Sequence, residues 1–348
     1  MPTTSRLAAE LDRLASFDPG PFPVVSLYLD LRPNEHGRDQ FDAFLRKELP
    51  ARLETYAANS PERKSLEQDA ATIREYVSTL DGSVNALALF ASSGASLFDA
   101  IPLAAPVEGH RLYISEHPHL YPLARLLDAY PRYVALVTDT NSARIFVFAT
   151  NTLVRTERVE NEKVKHHKQG GMSQARYQRH VENYHLRHAK EVVDTLARIV
   201  REEAIETVLV AGDEVIMPLL REQLPKDIAE RIVDVLRLDI RTPEHEVLAA
   251  TIAILRERDP DGDRERVDQL IDAYRANGLA TVGGANVRRA LELGQVDELV
   301  ITARPEANSG ENDLIMQAQN TSATVRFIED PSLLAAVGGI GAFLRFKV

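Results

Sequence analysis

The 348-residue sequence contains no cysteine, which removes disulfides, thiolate zinc sites, iron–sulfur clusters and a cysteine nucleophile together. Only histidines and carboxylates remain to hold a metal. No stretch approaches eighteen uninterrupted apolar residues, and the opening MPTTSRLAAELDRLASF mixes Arg, Glu and Asp into its apolar positions. Neither a membrane span nor a secretory leader is expected, and the chain reads as cytoplasmic. Catalytic signatures are missing too. There is no Gly-x-Ser-x-Gly elbow and no P-loop, and TVGGANV falls short of the dinucleotide-binding glycine pattern.

What is present is the composition of a folded protein, 44% apolar and 27% charged with no long biased tract. The length allows two or three domains. A net charge of −11 argues against a general nucleic-acid coat protein, since phosphate binding needs local Lys/Arg density, but leaves room for a basic patch.

Along the chain, Val24 to Leu31 reads as a buried strand between prolines. Residues 40–80 read as two helices broken near Asn59-Ser60-Pro61, and SVNALALFASSG returns to strand. This gives an N-terminal α/β domain over 1–128. HPHLYPLARLLDAYP reads as a connecting helix. A central domain over 129–240 then opens with strands at Tyr133–Asp139 and Arg144–Ala149 around a hairpin turn and a third strand at Leu153–Val159. A long helix follows, with Tyr177, Val181, Tyr184, Val192, Leu196, Ile199 and Val200 at three- and four-residue spacing, then a buried strand, a helix and a helix-to-strand passage. The remainder, 241–348, alternates helix and strand as a compact α/β/α layer. Thr242-Pro243-Glu244 starts its first helix, and DPDGDRER is expected to break it before VDQLIDAYRANG.

The chemistry-bearing stretch lies between the third central strand and the long helix. Lys163, Lys165, Lys168, Arg176, Arg179, Arg187 and Lys190 face a single acid, Glu182, and five of the chain's ten histidines (166, 167, 180, 185 and 188) share the interval. A charge run is usually a solvated helix face, but such faces mix both signs, so this one-sided run points to RNA or another polyanion. Gly170 and Gly171 let the backbone approach another molecule closely, and their amides can bind an anion where the helix begins; the same pair also serves ordinary turns. His185 and His188 are three apart on one helix, with only Glu182 and Glu191 near enough to complete a metal set, so no metal is expected.

KQGGMSQARYQRHVENYHLRHAKEVVD resembles the Gly-Gly-Gln loop and following helix of the archaeal and eukaryotic class I peptide chain release factors, a family related to Pelota and to ribosome-rescue peptidyl-tRNA hydrolases. Gly170, Gly171, Ser173, Arg176, Tyr177 and Arg179 fall in register. HPHLYPLARLLDAYPRYVALVTDTNSARIFVF looks like the family's passage into its central domain, ETVLVAGDEV like a later strand of it, and GLATVGGANVRRALELGQVDELVIT and GGIGAFLRF like its third domain, so the resemblance covers roughly residues 110 to 348. It implies an α/β protein of three domains. The central one would be ribonuclease H-like with a projecting Gly-Gly loop, and the C-terminal one an α/β/α domain like the kink-turn-binding proteins.

The resemblance also implies function: a tRNA-shaped factor whose central loop reaches the peptidyl-transferase centre and hydrolyses the ester between nascent peptide and tRNA. Family chemistry there uses backbone approach and water placement, with no side-chain nucleophile and no cofactor. Gly170 and Gly171 are assigned to backbone approach, and Lys165, His166, His167, Lys168, Ser173, Arg176 and Arg179 to ribosomal RNA or tRNA. The sequence departs from the family at the catalytic glutamine: Met172 stands in that register, and Gln174 lies two residues on. Either Gln174 places the water, or the factor occupies the ribosomal A site without catalysis, as a hibernation factor. An RNA-binding protein unrelated to the ribosome is the third reading. No counterpart of the Asn-Ile-Lys-Ser codon-reading motif is found, which favours rescue or occupancy over ordinary termination. Partners implied are the ribosome, through rRNA and peptidyl-tRNA, and a translational GTPase at the third domain, with no membrane.

Overall fold

The structure, a computed structural model, describes residues 3–32, 41–80, 85–105, 107–160, 174–304 and 309–347. It is mixed α/β with three sheets. The chain forms two compact units: residues 3–130 with 259–348, here the discontinuous unit, and residues 131–258, the central unit.

The discontinuous unit begins with α1 (Thr3–Ala15), β1 (Val24–Asp30), α2 (Phe41–Leu53), α3 (Pro61–Ser78), β2 (Ala86–Ser92), β3 (Leu97–Leu103), β4 (Arg111–Ser115) and α4 (Tyr121–Ala129). The four strands make an antiparallel sheet in the order β3-β2-β1-β4. Its two inner strands, β1 and β2, are buried on both faces because both are covered. Val25, Leu27, Leu29, Leu87 and Leu89 pack under α2 and α3, whereas Val24, Tyr28, Ala88 and Phe90 face the opposite way, toward α1 and α4. That alternation is the two-residue period of a strand. Ser60 starts α3 as an N-cap, its hydroxyl accepting the Arg63 amide at 3.1 Å, with Pro61 at the first helical position.

The central unit holds β5 (Tyr133–Thr138), β6 (Ser142–Ala149), β7 (Thr152–Glu160), α5 (Gln174–Glu202), β8 (Val208–Gly212), α6 (Ile216–Gln223), α7 (Lys226–Ala229) and β9 (Ile232–Leu236). Its sheet runs β7-β6-β5-β8-β9: an antiparallel meander of three strands joined by β5 to the parallel strands β8 and β9. One face, with Val134, Leu136, Ile145, Val147, Val208 and Val210, packs on α5 and α6. The other face carries Phe146 and Phe148 against the start of α8 (Glu244–Arg275), where Tyr133 Oη and Thr251 Oγ1 lie 2.7 Å apart.

The remaining elements, β10 (Ala280–Val282), α9 (Gly284–Glu292), β11 (Val296–Thr302), α10 (Ser309–Asn320), β12 (Thr324–Ile328), α11 (Pro331–Leu334) and β13 (Ile340–Leu344), return to the discontinuous unit as a mixed sheet in the order β10-β13-β11-β12. This sheet shares one core with the N-terminal sheet. Leu7, Leu11 and Leu14 of α1 and Leu123 of α4 pack in the same cluster as Ile315 of α10, Leu299 of β11 and Phe327 of β12. The opposite face closes on Val267 and Leu270 of α8 and Leu334 of α11.

The structure corrects one expectation. The charged stretch DPDGDRER carries the residues of a helix break, yet α8 continues through it from Glu244 to Arg275. Apolar anchors on both sides outweigh the local breakers: Val247 is buried in the central unit, and Val267 and Leu270 in the discontinuous one. Among the described residues no helix is long and apolar enough to cross a membrane.

Candidate nucleic-acid interface

The basic stretch is framed by β7 and α5. β7 is an edge strand of the central sheet, paired only with β6 among the described residues. The assigned residues Lys165, His166, His167, Lys168, Gly170, Gly171, Met172 and Ser173 lie outside the described residues, between the end of β7 and the start of α5. Gln174 is the first residue of α5, and Arg176 and Arg179 belong to its first two turns.

α5 has two halves of different character. From Ala189 onward it is a packed core helix: Ala189, Val192, Val193, Leu196, Ala197, Ile199 and Val200 recur at helical spacing and are buried against the sheet. Before His188 no described side chain of the helix is buried, and Asn183, Leu186 and Arg187 are exposed. At about 1.5 Å per residue, the segment from Gln174 to Arg187 extends roughly 20 Å ahead of the packed part. Arg187 is 78% exposed and pairs with Glu191 one turn on, at 3.2 Å.

The join between the halves is His188, fully buried beside the β5–β6 turn. Burial lowers its pKa, against the opposing pull of the Ser142 backbone and the Asp139 carboxylate, so the ring is neutral at pH 7. The turn is preformed, because Asp139 Oδ1 accepts the amides of Asn141 and Ser142 at 2.8 and 2.7 Å. His188 is therefore a core histidine fixing the foot of the exposed half-helix. His185 is only partly buried and has Tyr184 as its ring neighbour, at 6.1 Å. Among the described residues no group of three or more His, Asp or Glu side chains is placed to hold a metal.

The other end of the frame is held by charge. Glu203, just past α5, accepts from Arg132 ahead of β5 and from Arg155 of β7, the latter at 3.1 Å; Arg155 also meets Glu157. Glu157 in turn accepts from Arg198 of α5 at 2.5 Å, and Arg198 reaches Glu202 at 3.0 Å. Half-buried and multiply shared, this chain of ion pairs ties edge strand β7 to the packed half of α5, where isolated surface pairs would contribute little. Nothing in the sequence announces it, because its members are scattered from Arg132 to Glu203 with no local signature. A cavity of about 40 Å³ between α5, α6 and the sheet is walled by Leu136, Val193, Leu196, Val210, Met217 and Leu220, and is too small and too apolar for a nucleotide.

Residues 118–256 match the family described as bacterial archaeo-eukaryotic release factor family 10. Over 171 residues the chain is 28% identical to the protein pelota homolog of Pyrococcus furiosus, covering 45% of this chain and 48% of that protein. Over 197 residues it is 24% identical to peptide chain release factor subunit 1 of Aeropyrum pernix, 52% of each. The chain thus spans about half the length of the curated relatives it matches. Among solved structures, ribosome-bound archaeal Pelota with ABCE1 is 14% identical over 98% of this chain and 94% of that one, with a TM-score of 0.44. Dom34 of S. cerevisiae is 13% identical over 77% and 82%, with a TM-score of 0.42.

Proposed function

The chain is a relative of the archaeal/eukaryotic-type peptide chain release factors and of Pelota, and on that premise we propose that it binds the ribosome and engages peptidyl-tRNA at the peptidyl-transferase centre in the rescue of stalled ribosomes. The observation that carries this reading is α5. Its packed half is locked to the central sheet. Its first half, to which Arg176 and Arg179 belong, has no buried side chain among those described and directly follows the sequence Lys-Gln-Gly-Gly-Met-Ser. In this reading the central sheet is the family's ribonuclease H-like domain and the C-terminal sheet its kink-turn-binding-protein-like domain, which meets a translational GTPase. The protein works in the cytoplasm, where ribosomes are.

The chemistry is ester hydrolysis. Water attacks the carbonyl carbon joining peptide to tRNA, and the ribose oxygen leaves with a proton. Gly170 and Gly171 admit the backbone beside the tRNA end, and Gln174 orients the water. Lys165, His166, His167, Lys168, Ser173, Arg176 and Arg179 bind phosphate and sugar. Met172 supports a second reading. A thioether is a poor water-positioner, so with Met172 in the glutamine register the same loop occupies the A site without cleaving, as a hibernation factor does.

Purified ribosomes carrying labelled peptidyl-tRNA test both readings. Release by the wild type that falls at least about a hundredfold in Gln174→Ala supports hydrolysis. Co-sedimentation without release supports occupancy, and failure to co-sediment at moderate salt overturns both in favour of another RNA partner.

A further inference from the structure

The discontinuous unit is connected to the rest of the chain by two helices, α4, which ends at Ala129, and α8, whose later turns carry Asp263 and Arg266. Both are fastened to the same four residues, Arg326 to Glu329, at the end of strand β12. From α4, Asp128 Oδ2 accepts the Phe327 amide at 2.8 Å, and Arg125 donates to both carboxylate oxygens of Glu329 at 3.1 Å. From α8, Asp263 accepts the Arg326 guanidinium at 3.0 Å and the Glu329 amide at 3.1 Å. Glu329 therefore touches one helix with its side chain and the other with its backbone.

Two features make this more than a pair of surface contacts. β12 is an edge strand, and carboxylates from α4 and α8, in place of a further strand, accept the amides of Phe327 and Glu329. Asp263 is 1% exposed, so its charge is compensated by the groups that this segment presents, and their loss leaves an acid stranded in the interior. The Tyr121 ring of α4 adds a T-shaped contact with Phe327 at 5.0 Å.

We infer that Arg326–Glu329 is a double clasp coupling α4 to α8, so that loosening one helix loosens the other. The coupling runs through a shared peptide with two sets of partners, the arrangement in which perturbations fail to be independent. It stands apart from the proposed ribosomal function and holds whatever the central unit binds.

Native-state hydrogen exchange on the full chain tests it. Asp263→Ala removes the acceptor on α8 alone, and Asp128→Ala the acceptor on α4 alone. The expected result is about tenfold faster exchange in α4 for the first variant and in residues 263–270 of α8 for the second, with the core half of α5 unchanged as an internal reference. Arg326→Gln, which leaves Asp263 its backbone donor, is the milder variant should the buried change unfold the unit; it is expected to move both helices by a smaller factor. Faster exchange confined to the helix that was altered, or spread evenly through all three sheets, would overturn the clasp.

Discussion

Asn312 Oδ1 accepts the backbone amide of Leu120 at 2.7 Å across 192 residues of sequence. Leu120 is the cap of α4 and offers no side-chain acceptor of its own. Asn312 of α10 fills that role from the far end of the chain: it reaches the Tyr121 amide at 3.3 Å with the same oxygen and donates to the Pro118 carbonyl at 3.0 Å.

Removing that side-chain amide leaves buried donors and an acceptor without partners. Asn312→Ala is expected to destabilise the discontinuous unit by about 3 kcal/mol, the desolvation penalty of more than one unmet polar group. Urea denaturation followed separately in the two units checks it, with no shift in the central unit.

The proposed function assigns phosphate contacts to Arg176 and Arg179, which lie in the first half of α5. The double variant Arg176→Ala with Arg179→Ala is expected to weaken ribosome binding and to flatten the slope of log affinity against log salt by about two, one for each phosphate no longer neutralised. Binding titrations across a salt series read this directly, and an unchanged slope would remove both arginines from the interface.

The charge chain at the base of β7 makes its own forecast. Glu203 serves both Arg132 and Arg155 with a side chain only 17% exposed. Glu203→Ala takes the carboxylate from Arg132 and one of the three from Arg155, and is expected to lower the stability of the central unit by about 2 kcal/mol, with β7 the first strand to lose exchange protection.

Asp69 gives a pH dependence. Burial pushes its carboxyl up to about 6, against hydrogen bonds from Ser93 and Ser65. In the unfolded chain an aspartate titrates near 3.9. Between those values the folded state holds a proton that the unfolded state has released, so the group favours folding most below about pH 4 and loses that contribution as pH rises through 6. Asp69→Asn keeps an acceptor for the Ser93 amide, which now meets Asp69 Oδ1 at 2.7 Å. The variant is expected to gain roughly 3 kcal/mol over the wild type at pH 7.5 and to match it near pH 4; paired melting curves at the two pH values separate this from other acids.

Much of the fold is legible where side-chain pattern and structure obey the same local rule. Val296–Thr302 and Thr324–Ile328 read as apolar strands, and the buried half of α5 as a helical stripe. β3 and β4 do not: β3 carries Asp99 and Pro102 at the edge of its sheet, and β4 is five residues long with a single buried side chain. The joint core of the two ends of the chain has no local signal at all, since nothing near Leu11 or Leu123 names Ile315 as its neighbour. At the candidate interface the charge excess is visible in the sequence. His188, weighed in the sequence as a metal ligand and set aside, is a buried foot for the helix, a role set by the Asp139 turn, which is distant in sequence.

The shared core also dictates an order of events during synthesis. Residues 131–258 form a contiguous unit and can fold as soon as they have emerged, whereas the core that Leu7, Leu11, Leu14 and Leu123 share with the N-terminal sheet is completed only when residues 287–344 have been made. Residues 3–130 are thus completed only after the whole of the central unit that follows them in sequence, so the two halves of their shared core meet late.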